Sequence, residues 1–175
     1  QAHKLKSGGF AETSDIVGTG TLTIQFGTYS TGSFTLNPDK AAATISIDSG
    51  KSSLAGVRDA INAANAGVSA SIINDGSGNR LVIASKDTGV ANALKITVAD
   101  DDLGNTDNSG LSQLAYDAST GGTTNLSQTV AAQNASAVID GIAISKSSNT
   151  ISDAIEGVTL TLLKENTPSA TTFSV

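Results

Sequence analysis

One imidazole, His3, and no Cys, Met or Trp are found among 175 residues, so carboxylates, hydroxyls and a few lysines are left to do chemistry. Thiol nucleophiles, disulfides, thiolate zinc sites and iron–sulfur clusters are excluded outright. His3 stands near what reads as a ragged N-terminus, which argues against a Ser–His–Asp triad; a multi-histidine metal site is impossible. Asp59, Asp153 and Glu156 are the carboxylates that could be paired for glycoside hydrolysis, but no aromatic platform accompanies them to hold a sugar ring. Asp59 and Asp153 are expected instead on the exposed faces of short helices.

The acidic run Asp100-Asp101-Asp102-Leu103-Gly104-Asn105-Thr106-Asp107 raises the question of calcium, because hard cations want clustered oxygen ligands. Counted from Asp100, the glycine falls fifth where an EF-hand needs it sixth, and Leu111 and Ser112 stand where the distal Glu belongs. The run therefore reads as a solvated connector. Gly18-Thr19-Gly20 lacks the third glycine of a dinucleotide fingerprint and precedes a strand pattern where a helix is required; Gly76-Ser77-Gly78 lacks the Lys-Ser/Thr of a phosphate loop. Both read as turns. Asn125-Leu126-Ser127 and Asn134-Ala135-Ser136 match the N-glycosylation pattern, but with 12 Asn and 44 Ser or Thr about three matches arise by chance. No catalytic, cofactor-binding or metal-binding residue is assigned.

The elements that would position any site follow from periodicity. Thr21–Phe26 alternates, with Leu22, Ile24 and Phe26 on one face, and Thr44–Asp48 is a second short strand. Ser52 or Ser53 caps a helix over 54–65, in which Leu54, Val57, Ile61 and Ala64 share a stripe and Gly67 follows the end. Val68–Ile73 and Arg80–Ser85 flank a polar turn and read as a hairpin, with Leu94–Val98 a further strand. Leu111–Tyr116 suits a single helical turn. Asp140-Gly141 between Ala137–Ile139 and Ile142–Ile144 suits a type I′ hairpin. A short helix is expected over Thr150–Glu156, capped from Ser147–Asn149, and then a strand over Val158–Leu163. Asp59-Ala60-Ile61 recurs as Asp153-Ala154-Ile155, and Gly67-Val68 as Gly157-Val158, which suggests two related units.

Ten Lys and Arg against sixteen Asp and Glu give a net charge of −6, which repels a phosphate backbone, and six aromatics build no base-stacking platform. Nucleic acid is excluded as a partner. No apolar run approaches the ~20 residues of a membrane helix, so no membrane insertion is expected. A quarter of the chain is Ser or Thr, yet Ile, Leu and Val alternate; that combination fits an extracellular β-rich scaffold better than a cytosolic enzyme. Without an initiator Met the chain is expected to be a fragment.

Three stretches carry a family resemblance. The first runs Ala132-Gln133-Asn134-Ala135 into Val138-Ile139-Asp140-Gly141. The second is Ser147-Ser148-Asn149-Thr150-Ile151-Ser152-Asp153-Ala154-Ile155 with Gly157-Val158-Thr159-Leu160. The third is Asp59-Ala60-Ile61-Asn62 followed by Gly67-Val68-Ser69-Ala70-Ser71-Ile72, Arg80-Leu81-Val82-Ile83 and Ser85-Lys86-Asp87-Thr88-Gly89. Together they resemble the bacterial flagellar filament cap family, also called flagellar hook-associated protein 2, and the Ile61-Asn62 pair resembles a motif shared with flagellins. The resemblance implies an α+β, β-rich fold of two small sandwich-like domains, each with a short helix, one inserted into the other. Residues 1–20 plus 126–175 would form the discontinuous domain and 21–125 the inserted one. It further implies a secreted, extracellular, non-enzymatic structural protein at the distal tip of the bacterial flagellum, without cofactors, that assembles as a homo-oligomer ring and promotes flagellin insertion and filament elongation. The heptads of a leg and coiled-coil termini are missing, so the chain reads as the head alone. Some family members also adhere to host mucin or host cells. An extracellular adhesin or carbohydrate-binding module is thus the alternative, with Tyr29 and Tyr116 as its candidate aromatics.

Overall fold

Alternation of apolar and hydroxyl side chains from residue 20 onward produces the longest strand, β2 (Gly20–Ser30), around which half of the fold is built. The computed structural model describes residues 1–163. Ahead of β2 lies β1 (Ala2–Lys6); after it come β3 (Ser33–Leu36), β4 (Ala43–Ile47), α1 (Leu54–Ala63), β5 (Val68–Asn74), β6 (Asn79–Thr88) and β7 (Ala93–Asp100). β8 (Ser127–Val130) is followed by two hairpins, β9 (Ala135–Ile139) with β10 (Ile142–Lys146), and β11 (Thr150–Ile155) with β12 (Val158–Thr161). Short 3₁₀ turns occupy Val90–Asn92 and Gly110–Leu114, the second where the sequence predicts a helical turn.

β2 pairs antiparallel with β7 along Gly20–Gly27, with β4 along Gly20–Ile24 and with β3 along Gly27–Ser30. Leu22, Ile24 and Phe26 stand opposite Val98, Ile96 and Leu94, so the two apolar faces coincide residue by residue. The second sheet has the order β5-β6-β1-β8, again antiparallel throughout. Its inward positions, Leu5, Val68, Ala70, Leu81 and Ile83, join the same buried cluster as β2, β4 and β7. Helix α1 inserts Leu54, Val57 and Ile61 into that cluster, and Leu111 and Leu114 of the second 3₁₀ turn complete it. Each such fully buried aliphatic side chain contributes about 1.5–3 kcal/mol. The Ser53 hydroxyl accepts the amide N–H of Gly56 at 3.1 Å, which makes it the N-cap.

Strands β1, β5–β6 and β8 therefore share one sheet, although they come from both sides of the division expected near residues 20 and 126. The last two hairpins stand outside the main cluster, where only Ala135 and Ile151 are buried. They attach to the body through a few polar contacts. The Asn134 side-chain carbonyl accepts the Val90 N–H at 3.0 Å, and the Thr88 hydroxyl donates to the Ser147 carbonyl.

Two sequence expectations are corrected here. Thr150–Ile155 is a strand, not a helix, so among the described residues α1 is the single α-helix and the second unit has none. Six residues are too few to sustain an isolated helix, and Thr150, Ile151 and Ile155 are β-branched. The Glu156-Gly157 turn instead brings Val158 opposite Ile155, Leu160 opposite Ile151 and Thr161 opposite Thr150. The same Asp-Ala-Ile tripeptide is thus helical at 59–61 and extended at 153–155, so the two units share their flanking strands and the positive-φ glycine before the second strand, but not the helix. His3 also lies in no ragged terminus: β1 is an interior strand of its sheet, and His3 is 1% exposed.

Candidate functional site

The structure brings none of the three carboxylates weighed for glycoside hydrolysis into a pair with another. Asp59, exposed on α1, pairs with Arg58 at 2.7 Å. Asp153, exposed on strand β11, pairs with Lys146 of β10 at 2.6 Å, and that ammonium holds its carboxyl below the usual range. Glu156 is exposed in a hairpin turn. Each paired carboxylate answers to its own basic neighbour.

The acidic loop is consumed by its own backbone. Asp100 is buried, and its carboxylate accepts the N–H groups of Ser112 at 2.7 Å and Asp102 at 3.3 Å. Asp102 accepts the Gly104 N–H at 2.8 Å, while Asp107 accepts the Ser112 hydroxyl at 2.9 Å and the Ser109 N–H at 3.1 Å. These bonds tie the loop to the 3₁₀ turn at Gly110–Leu114, and among the described residues no group of three or more His, Asp or Glu is placed to hold a metal ion.

Tyr29 and Tyr116, the aromatics proposed for sugar binding, do not form an exposed platform. Tyr116 is 4% exposed, and its hydroxyl donates to the Gln128 side-chain carbonyl at 3.1 Å. Tyr29 is half-buried against Phe34 and meets Tyr116 edge-on at 6.3 Å. Burial raises both phenol pKa values.

What the fold does assemble from a sequence motif is a clamp. Ile61 is fully buried in the core, and the next residue, Asn62, turns its side chain toward β5. Its amide nitrogen donates to the Ala70 carbonyl at 2.8 Å, and its amide oxygen accepts the Ala70 N–H at 2.8 Å. β5 is an edge strand, so Asn62 supplies to Ala70 the pair of bonds that a further strand would supply. A hydrophobic anchor followed at once by a bidentate amide thus fastens the helix to the sheet and closes the open edge at one point. Asn62→Ala leaves both Ala70 backbone groups without that partner. The expected loss is about 1–3 kcal/mol of unfolding free energy, measured by urea titration with an unchanged m-value.

The surfaces left for contact with other molecules are the hairpins and loops. Val138 and Ile142 on β9–β10 are each 68% exposed, and Ile16, Leu36, Ile73 and Leu103 are exposed elsewhere. No helix among the described residues is long and apolar enough to cross a membrane.

Known proteins match this architecture in sequence and in shape. The family described as Flagellin hook IN motif matches residues 21–87, which contain the Ile61–Asn62 clamp, and Flagellar hook-associated protein 2 C-terminus matches 132–175. Flagellar hook-associated protein 2 of Escherichia coli O157:H7 is 49% identical over 116 residues, covering 66% of this chain and 23% of its own length. The B-type flagellar hook-associated protein 2 of Pseudomonas aeruginosa is 44% identical over 128 residues, covering 69% of this chain and 26% of its own. The chain thus spans about a quarter of the length of these curated relatives. The crystal structure of the D2–D3 domains of the flagellar cap protein FliD from Escherichia coli superposes with a TM-score of 0.78 at 41% identity, over 95% of this chain and 78% of that one. With a β-rich architecture, an Ile-Asn clamp inside the flagellin-related motif and this extent of agreement, the chain belongs to the flagellar cap protein family, flagellar hook-associated protein 2.

Proposed function

We propose that this chain is the head portion of a cap at the distal tip of the bacterial flagellum, outside the cell, where it promotes insertion of exported flagellin and elongation of the filament. The observation that carries this reading is agreement over 95% of the chain with the D2–D3 domains of a flagellar cap protein. In this reading the protein works through surfaces and has no catalytic step; Asp59, Asp153 and Asp100 are each engaged by a local partner. In the complete protein the head is one subunit of a homo-oligomeric ring in contact with flagellin. The head divides into a discontinuous unit, 1–20 plus 126–175, and an inserted unit, 21–125. β1 and β8 of the first unit lie in one sheet with β5 and β6 of the second, so strands of the two pair directly.

A chimera tests this. The segment replaces its counterpart in the Escherichia coli relative, and the chimera is expressed in a strain lacking the native protein. Restored filaments visible by electron microscopy are the expected result. An exported, folded chimera that leaves cells without filaments contradicts the reading.

A further inference from the structure

The function described above makes no use of His3, the chain's single imidazole. It is 1% exposed, and its two ring nitrogens join three strands. Nδ1 accepts the backbone N–H of Leu94 in β7 at 2.8 Å, so that nitrogen carries a lone pair and the proton is on Nε2. Nε2 then donates to the Gln128 side-chain carbonyl in β8 at 2.9 Å, the same oxygen that accepts the Tyr116 hydroxyl. The ring packs 5.6 Å from that of Tyr116. β1 and β8 belong to one sheet and β7 to the other, so this single neutral imidazole bonds the two sheets together.

No carboxylate compensates a positive charge at this point. The ionisable groups on the surrounding elements are the Gln1 ammonium, Lys4 and Lys6 of β1, Tyr29 of β2, Arg80, Lys86 and Asp87 of β6, Lys95 and Asp100 of β7, and Tyr116 with its neighbour Asp117; β8 has none. Asp87 pairs with Lys40, Arg80 with Asp75, and Lys95 with Asp117 at 2.6 Å. The Asp100 carboxylate is taken by backbone N–H groups of Asp102 in the acidic loop and Ser112 in the 3₁₀ turn. Burial accordingly lowers the imidazole's basicity, and the bond to Gln128 restores only part of it.

We propose that His3 is an acid-released latch between the two sheets: a proton from solvent added at Nδ1 removes the acceptor of the Leu94 N–H and breaks the His3 link between β1 and β7, loosening the seam that the shared core and Tyr116 still hold. The direction follows from linkage. The folded state binds this proton less readily than the unfolded state, whose imidazole titrates near 6.5. The latch's contribution is therefore complete above about pH 6.5 and is lost as pH falls below it, until the folded state also protonates. The Asp48, Asp75, Asp117 and Asp153 carboxyls, all held below 3.8 in the fold, lose their contributions only in stronger acid, so pH 5 separates the two effects.

Nuclear magnetic resonance on the 175-residue chain tests this, because the lone imidazole gives one unambiguous titrating C2 proton. The expected midpoint lies below 6.5. Hydrogen exchange of the Leu94 amide, expressed relative to that of Ile24, is expected to accelerate between pH 7.5 and 5, by about tenfold for each unit the folded imidazole is depressed if both protonation steps fall in that interval. In His3→Gln the pH dependence of the urea midpoint between 7.5 and 5 is expected to disappear. An imidazole titrating at 6.5 or above overturns the proposal, as does an exchange ratio that stays constant over the interval. The same pH dependence in His3→Gln also overturns it. If that variant does not fold, the two measurements on the unaltered chain decide.

Discussion

Ile61→Ala is expected to lower the unfolding free energy by about 2–5 kcal/mol, among the largest losses any single truncation in this chain produces. Ile61 has no exposed surface and is the last of three helical side chains, after Leu54 and Val57, that enter the common core. That core also receives Ile45 and Ile47 from β4 and Val68 and Ala70 from β5, so the cavity left by truncation is walled by strands that are held in register and have little freedom to collapse. The substitution also acts on its neighbour: Asn62 reaches Ala70 from a helix whose rotation Ile61 fixes. Ile61→Val, which keeps the branch at Cβ, is expected to lose only about 0.5–1.5 kcal/mol. Thermal unfolding reads the difference at about 2–4 °C per kcal/mol for a chain of this size. Equal losses for the two variants would show that packing of this side chain is not what anchors the helix.

Gly20→Ala is the second large effect. Gly20 begins β2 between β4 and β7, opposite Ile47 on one side and Asp100 on the other. Its φ of +140° is a conformation that side chains rarely adopt, and a Cβ placed there meets the Ala99 carbonyl oxygen at 2.3 Å. Gly18 is built the same way, with a Cβ 2.3 Å from the Leu111 amide nitrogen. Backbone strain and the displaced strand together destabilise Gly20→Ala by about 2–5 kcal/mol. Gly8 is the control, since a Cβ there meets nothing within 4 Å; Gly8→Ala is expected within about 0.5 kcal/mol of the parent in the same urea titration. The Gly18-Thr19-Gly20 motif is thereby explained by the approach of backbones, with no phosphate involved.

Much of this was legible in advance, for definite reasons. β2, β4, β5, β6, β7 and α1 announce themselves by alternation or helical spacing, because each buries one face and exposes or half-buries the other, and the β9–β10 hairpin announces itself by its turn. Asp140-Gly141 takes positive φ at both positions, +48° and +80°, as its residue types demand. β1 was missed although its signal was present: Lys4 and Lys6 alternate with His3 and Leu5, but five residues at a chain end, with a histidine among them, look polar until the sheet closes over them. β3 and β8 have four residues each and mostly exposed side chains, so pairing alone defines them. The segment 150–155 misled because Ser-rich residues before an Asp-Ala-Ile tripeptide look like a cap wherever they stand, and the strand signal of Val158–Leu163 directly after it does not by itself say that the two segments pair as a hairpin. The clamp was half legible. The Ile61-Asn62 pair stands out in the sequence, but the two bonds from Asn62 to Ala70 depend on where α1 ends relative to the edge of the sheet.

Immunogold electron microscopy on the source bacterium, with antibodies raised against this chain, tests the cap assignment most directly. Gold confined to the distal ends of flagellar filaments is the predicted result. Gold spread over the cell surface, or absent from flagella in cells that make the protein, would contradict it.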